Sequence, residues 1–90
     1  MTVTAVYGSG FSQITGLQRE TVRLDGDTLG DLIEILQERH GGEFREALVD
    51  PHTGNILPGM TVLVGGRRLD PSAKIANGDE VAFVMAIAGG

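Results

Sequence analysis

One amphipathic helix, set between segments that alternate like β-strands, limits this ninety-residue chain to a small number of folds. Apolar residues recur at i, i+3, i+4 and i+7 on a single helical face, namely Leu29, Leu32, Ile33 and Leu36. Asp27 or Thr28 can cap the start of this helix, and Gly41-Gly42 ends it. Because a lone helix with one apolar stripe needs a sheet to cover, the sequence predicts an α+β fold.

The strand-like segments surround the helix in the order β-β-α-β-β-β. Alternation predicts strands over residues 2–7 and 21–24, and a last strand over residues 80–85. The apolar run 61–64 is typical of a buried strand, and Gly65-Gly66 predicts a tight hairpin after it. We expect the first and last strands to be neighbours at the sheet centre, since both are apolar and free of proline. The order predicts a ubiquitin-like β-grasp: a mixed sheet of about five strands with one main helix packed on one face.

Two connecting segments have weaker patterns. After the first strand, Gly8-Ser9-Gly10 predicts a break, and we expect a loop through Phe11 to Gly16. These glycines resemble a phosphate-binding loop only superficially, because we expect no helix after them and no Lys-Ser/Thr pair follows. We interpret them as a flexible turn. After the main helix, residues 43–48 predict a short helical turn with Phe44 facing inward.

The composition excludes several classes of function. Cysteine is absent, which removes disulfides, thiolate catalysis, iron–sulfur ligation and cysteine-based zinc sites. Twelve acidic and seven basic residues give a net charge of −5, which argues against nucleic acid as a partner. The first residues do not resemble a signal peptide, and no apolar run approaches the ~20 residues of a membrane span. We therefore expect a cytoplasmic protein that does not bind membranes.

The side chains offer no catalytic constellation. His40 and His52 are the only histidines, and without a nucleophile between them they are more typical of surface residues than of a catalytic pair or metal site. Arg67-Arg68 is typical of an edge strand protected by charge against self-pairing. The sequence therefore predicts no enzyme, no metal and no catalytic residue.

The last strand leads into Gly89-Gly90. Two residues without a Cβ give a thin tail whose carboxylate can enter a narrow tunnel in another protein, although a frayed terminus has the same composition. We divide the chain into a β-grasp domain, residues 1–86, and a flexible C-terminal Gly-Gly tail, residues 87–90. The apolar residues near the base of the tail are predicted to bind a partner: Phe83, Met85, Ile87 and Ala88, with Phe11 as a further candidate.

Three stretches carry a family resemblance. They are Gln13-Ile14-Thr15-Gly16 before the second strand, residues 26–32 at the start of the helix, and residues 78–83 leading into Ala88-Gly89-Gly90. Together they resemble the sulfur-carrier family of the ubiquitin-like superfamily, which includes the small subunit of molybdopterin synthase and the thiazole- and cysteine-pathway carriers. The prolines that molybdopterin-type members often carry before Gly-Gly are absent from residues 84–88.

The resemblance implies a mechanism at Gly90. An E1-like adenylating enzyme would use ATP to join AMP to the Gly90 carboxylate, with Gly89 providing clearance. A sulfurtransferase or another persulfide donor would then convert the carboxylate into a thiocarboxylate. The chain itself would bind no cofactor and act as a co-substrate, with the large subunit of molybdopterin synthase as a further partner in molybdenum cofactor biosynthesis.

Other functions fit the same residues. The sulfur can go to cysteine, thiazole or tRNA thiolation, and Gly90 can also form isopeptide bonds as a protein modifier. With Lys74 as the only lysine, polymers of the chain are disfavoured. A plain β-grasp interaction module, in which Gly-Gly is incidental, is the remaining alternative.

Overall fold

A computed structural model describes residues 1–85 and shows one mixed sheet with helices on one of its faces. Its elements are β1 Thr2–Tyr7, α1 Phe11–Thr15, β2 Arg19–Arg23, α2 Leu29–His40, α3 Gly42–Leu48, β3 Met60–Val64, β4 Arg67–Arg68 and β5 Glu80–Met85. The strand order is β2-β1-β5-β3-β4, with β1 and β5 parallel and the other neighbours antiparallel. The predicted β-grasp and its central pair of strands are confirmed. The predicted boundary between residues 86 and 87 lies outside the described residues.

Helix α2 follows the predicted pattern in detail. Thr28 caps it: the Thr28 hydroxyl accepts a hydrogen bond from the Asp31 N–H, and the Asp31 carboxylate accepts one from the Thr28 N–H, both at 3.2 Å. Hydrogen bonds to the Asp31 carboxylate from the Thr28 N–H and from the Thr28 hydroxyl also hold the pKa of Asp31 below its ordinary value. All four residues of the apolar stripe are buried, so the helix covers the sheet along this stripe.

Two expectations about local structure need correction. Helix α1 replaces the predicted loop, because Phe11 inserts fully into the core and Gly16 ends the single turn in the left-handed conformation. Five residues with one buried side chain are too few for periodicity to reveal. Strand β3 is not buried on both faces: only Val62 is fully buried, since the helices pack on one side of the sheet. The short helical turn after α2 is confirmed as α3.

The few aromatic residues are concentrated in one place. The chain has one tyrosine, three phenylalanines and no tryptophan. All four of these rings are buried and contact one another, with centroid distances of 5.5 to 6.1 Å among Tyr7, Phe11, Phe44 and Phe83. Tilted and edge-on aromatic pairs of this kind add to the stabilisation from burial alone. The cluster therefore packs against the inner face of β5 through Phe83.

Candidate functional site

The candidate site is the end of β5, from which the predicted tail continues. Alternation places Phe83 on the inner face of the sheet and Val84 on the outer face. Phe83 is fully buried, whereas Val84 is 40% exposed. The prediction that Phe83 contacts a partner is therefore corrected: its ring belongs to the aromatic core, and no partner can reach it while the domain is folded. Val84 is the side chain that this strand presents to solvent.

Met85 is intermediate between the buried Phe83 and the exposed Val84. It is partly buried and packs against the core, with Met60 as its neighbour on β3. Its thioether also lies close to Gly10, where a Cβ would come within 2.6 Å of the sulfur. Part of the Met85 surface remains accessible, so its predicted contact with a partner stays a prediction.

Two glycines of the β1–α1 connection hold the end of β5. The Gly8 N–H donates a hydrogen bond of 2.9 Å to the Phe83 carbonyl, and a Cβ on Gly8 would lie 3.2 Å from that oxygen. Gly10 has a φ of +91° beneath Met85, a conformation that favours glycine. The segment that the sequence suggested to be a flexible turn is thus a close backbone support for β5. The sequence signal for this support was a pair of glycines, separated by one residue, directly after a strand.

The outer face of the sheet around Val84 is open and mostly apolar, with Thr61 directly opposite Val84. Val6 of β1, Ala82 of β5 and Leu63 of β3 lie on this face and are partly exposed. No helix in residues 1–85 covers it, because the three helices share the core on the opposite side. Leu17, also 40% exposed, follows α1 close to the Tyr7–Gln18 hydrogen bond at the same end of the sheet. Such a surface suits protein contact.

The remaining predicted site residues divide into two groups. Phe11, the further candidate for the surface patch, is fully buried and is corrected to a core residue. Ile87, Ala88, Gly89 and Gly90 lie outside the described residues, and their predicted roles stay predictions. The structure therefore shows an exposed face at the end of β5, and its contact with a partner stays a prediction.

A polar cluster that the sequence analysis missed joins the end of α2 to the sheet. The Glu20 carboxylate accepts hydrogen bonds from the Tyr7 hydroxyl at 2.6 Å, the His40 Nε2–H at 2.5 Å and the Arg39 guanidinium at 2.9 Å. The side chains of Glu20 and His40 are only 12% exposed. His40, predicted as a surface residue, is thus largely enclosed and bonded to Glu20, and its ring also packs edge-on to Tyr7. His52 lies in an exposed turn as predicted.

The electrostatics of this cluster favour an ionised carboxylate. Burial acts to raise the pKa of Glu20, but the hydrogen bonds from Tyr7, His40 and Arg39 outweigh it and hold the pKa below its ordinary value. Burial, reinforced by the bond to Glu20, raises the pKa of the Tyr7 phenol. With all three donors committed to one carboxylate, the cluster has no free nucleophile or base, and it serves to fix α2 on the sheet.

We predict that Glu20→Gln destabilises the fold and flattens its dependence on acid pH. The mutation leaves buried donors with a weaker acceptor, which costs about 2 kcal/mol in the free energy of unfolding at neutral pH. A carboxyl whose pKa is lowered on folding stabilises the protein fully above its unfolded pKa and loses this effect as pH falls through the folded pKa. Urea denaturation from pH 7 to pH 3 measures both effects.

The matched control for this prediction is Glu34→Gln, which removes one charge from the exposed face of α2. It is expected to leave stability nearly unchanged. Equal stability of the two variants at pH 7, or an unchanged acid dependence in Glu20→Gln, would contradict the assigned role of the cluster.

The described residues limit other kinds of site. Across residues 1–85, no group of three or more His, Cys, Asp or Glu side chains is placed to hold a metal ion. In the same part of the chain, every helix is too short or too polar to span a bilayer.

Comparisons with known proteins agree with the architecture. Residues 10–90 match the model of the ThiS family. No curated protein sequence matches the chain. Among solved structures, SAMP1 from Haloferax volcanii is 24% identical with a TM-score of 0.83, and the match covers all of both chains.

Two further solved structures are slightly closer in sequence. CysO from Mycobacterium tuberculosis is 27% identical with a TM-score of 0.79, covering 94% of this chain and 99% of that one. A Pyrococcus furiosus protein assigned as molybdopterin converting factor, subunit 1, is 25% identical with a TM-score of 0.74, covering 97% and 99%. Because the family model matches nearly the whole sequence, the chain belongs to the ThiS family of ubiquitin-like sulfur carriers and modifiers.

Proposed function

We propose that this protein is a sulfur carrier in which the Gly90 carboxylate is adenylated and then converted into a thiocarboxylate. The observation that supports this most strongly is the ThiS family match, which extends through Gly89 and Gly90. The structure adds an open apolar face at the end of β5, from which the chain continues toward these glycines. The protein is then a co-substrate, and its partners supply the catalytic groups.

The chemistry follows from the poor reactivity of a carboxylate. A Gly90 carboxylate oxygen attacks the α-phosphate of ATP, pyrophosphate leaves, and an acyl-adenylate forms. The terminal sulfur of a protein persulfide attacks the acyl carbon, and AMP leaves with the electrons of the C–O bond. A thiol then reduces the resulting acyl disulfide, which releases the Gly90 thiocarboxylate and a new disulfide. ATP and the persulfide belong to the partners, so this chain needs no cofactor of its own.

The folded domain determines how far Gly90 can reach into a docked partner. Gly90 lies five residues after Met85, and an extended chain of five residues spans at most about 18 Å. A partner that contacts the outer face near Val84 must therefore place its nucleotide site within this distance of Met85. Gly89 leaves room for the chain in a narrow channel, because it lacks a Cβ.

We propose three classes of protein partner. An E1-like adenylating enzyme activates Gly90, and a sulfurtransferase or another persulfide donor supplies sulfur. The third is the enzyme that accepts the sulfur, with the large subunit of molybdopterin synthase as the first candidate. The likeness to the Pyrococcus furiosus protein supports this first candidate. The similar likeness to CysO makes an acceptor enzyme of the cysteine pathway the second candidate. Incubating the thiocarboxylated carrier with each acceptor enzyme in turn decides between the two pathways.

Pyrophosphate exchange tests the first step of the proposal. With a cognate adenylating enzyme, the chain should stimulate exchange of labelled pyrophosphate into ATP, because formation of the acyl-adenylate is reversible. A chain that lacks Gly90 is the control and should give only the background rate. Failure of the full chain with every adenylating enzyme of its source organism would exclude the proposal.

We predict that Val84→Asp weakens activation without unfolding the domain. A carboxylate placed in the centre of the apolar face loses its water when a partner docks, so the KM for the carrier in pyrophosphate exchange should rise by about tenfold or more. The rate at saturating carrier should change little, because Gly90 is untouched. The control Gly42→Asp adds the same charge at the start of α3 on the helical side, where a Cβ would meet nothing within 4 Å, and it should leave the KM unchanged. An unchanged KM in Val84→Asp would contradict docking through this face.

A further inference from the structure

Five side chains on the outer face of the sheet stand in one line across all five strands. Val6 of β1 is paired with Arg19 on β2 and with Ala82 on β5. Leu63 of β3 is paired with Ala82 on its other side and with Arg68 on β4. Residues paired in this way project to the same face. We name this line, Arg19–Val6–Ala82–Leu63–Arg68, the arginine-flanked row.

The row has an apolar centre and a positive charge at each end. Neighbouring strands are about 4.8 Å apart, so the Cα atoms of Arg19 and Arg68 are separated by about 19 Å. Both arginines are exposed. Arg19 forms a salt bridge with Glu80 at 3.4 Å, in which both side chains are more than half exposed, so that pair is weak. Within residues 1–85, Arg68 forms no salt bridge.

This charge distribution differs from that of the whole molecule. The net charge is −5, yet the two edge strands hold four of the seven basic residues, namely Arg19, Arg23, Arg67 and Arg68. On helices α2 and α3 the exposed acidic residues, Glu34, Glu38, Glu43 and Glu46, outnumber the exposed basic ones, Arg39 and Arg45. A protein with an acidic docking surface is therefore repelled by the helices and attracted by the edges of the sheet, which orients the encounter.

We infer that the arginine-flanked row docks a protein surface whose apolar centre is bordered by carboxylates about 19 Å apart. The apolar centre provides the buried contact, and the two arginines set direction and register. This inference rests on the proposed function for the identity of its partner, the adenylating enzyme. It adds the chemistry by which that enzyme recognises the carrier. The row lies directly before Val84 on β5, so docking there also aims the tail at the enzyme.

The test compares two variants that carry the same net charge. Arg19→Gln with Arg68→Gln neutralises both ends of the row. Arg45→Glu makes an equal charge change on α3, where the exposed Arg45 guanidinium donates a hydrogen bond of 3.3 Å to the Gln37 side chain. The probe is an adenylating enzyme of the source organism that binds the wild-type chain. Its dissociation constant for each variant is measured by calorimetry at low and at high salt.

The double variant should bind about tenfold more weakly at low salt and lose most of the salt dependence seen with the wild type. Arg45→Glu should bind as the wild type does or slightly more weakly. Unchanged binding of the double variant, or an equal loss in Arg45→Glu, would overturn the inference.

A direct binding measurement keeps this test separate from the proposed function. If the wild-type chain binds an adenylating enzyme of its source organism but supports no exchange, the proposed chemistry fails, and the variants still decide the role of the row in that complex. If exchange proceeds and the double variant binds normally, the chemistry stands and the row is excluded.

Discussion

Adding a single alanine after Gly90 is expected to abolish activation, lowering the rate of pyrophosphate exchange by at least about a thousandfold. The reaction needs the carboxylate itself within bonding distance of the α-phosphate of ATP, and one extra residue displaces it by more than 3 Å. Gly89→Val should lower the rate strongly as well, because a β-branched side chain is wide and stiff where the channel is narrow.

The control for these tail variants is Gly42→Val. A Cβ at Gly42 would meet nothing within 4 Å, and the residue begins α3 on the helical side of the sheet. This variant should be activated at the wild-type rate once its folding is verified. Normal activation of the extended chain would show that Gly90 is not the group acted upon.

The second large effect is expected at Phe83. Phe83→Ala removes a fully buried ring from the four-member aromatic cluster and should lower the free energy of unfolding by about 3–5 kcal/mol. A small domain has only about 5–15 kcal/mol in total, so this variant loses a large part of its stability. The adjacent Val84→Ala should cost less than about 1 kcal/mol, since Val84 is 40% exposed on the other face.

Urea denaturation of both variants measures this contrast. Similar losses at the two positions would mean that the faces of β5 are assigned wrongly. A stable Phe83→Ala variant that fails to bind the adenylating enzyme would restore the original prediction that Phe83 contacts a partner.

Local patterns in the sequence were sufficient for the parts of the fold that local physics determines. Helix α2 has a cap, a stripe and a stop within sixteen residues, and each of these is an interaction between neighbours in the chain. The hairpin at Gly65-Gly66 is similar, because both glycines have the positive φ that a two-residue turn requires. The central pairing of β1 and β5 followed from their apolar composition.

The missed features depend on contacts between distant residues. Glu20 and His40 are twenty positions apart, and neither position has a local pattern that predicts their hydrogen bond. The same holds for Gly10, whose close approach to Met85 becomes visible only once β5 lies beside β1. On β5, alternation correctly placed Val81, Phe83 and Met85 on one face. The error was to choose a partner contact from the inner face, where the largest side chains pack.

The mass of the C-terminal tryptic peptide tests the central claim most directly. Lys74 is the last basic residue, so trypsin releases residues 75–90 as one peptide that contains the whole of β5 and the tail. After incubation with the adenylating enzyme, ATP and a persulfide donor, this peptide should gain the mass difference of one oxygen replaced by sulfur. Fragmentation should place the change at Gly90. An unmodified peptide, or Gly90 found only in isopeptide linkage to lysines of other proteins, would contradict the account.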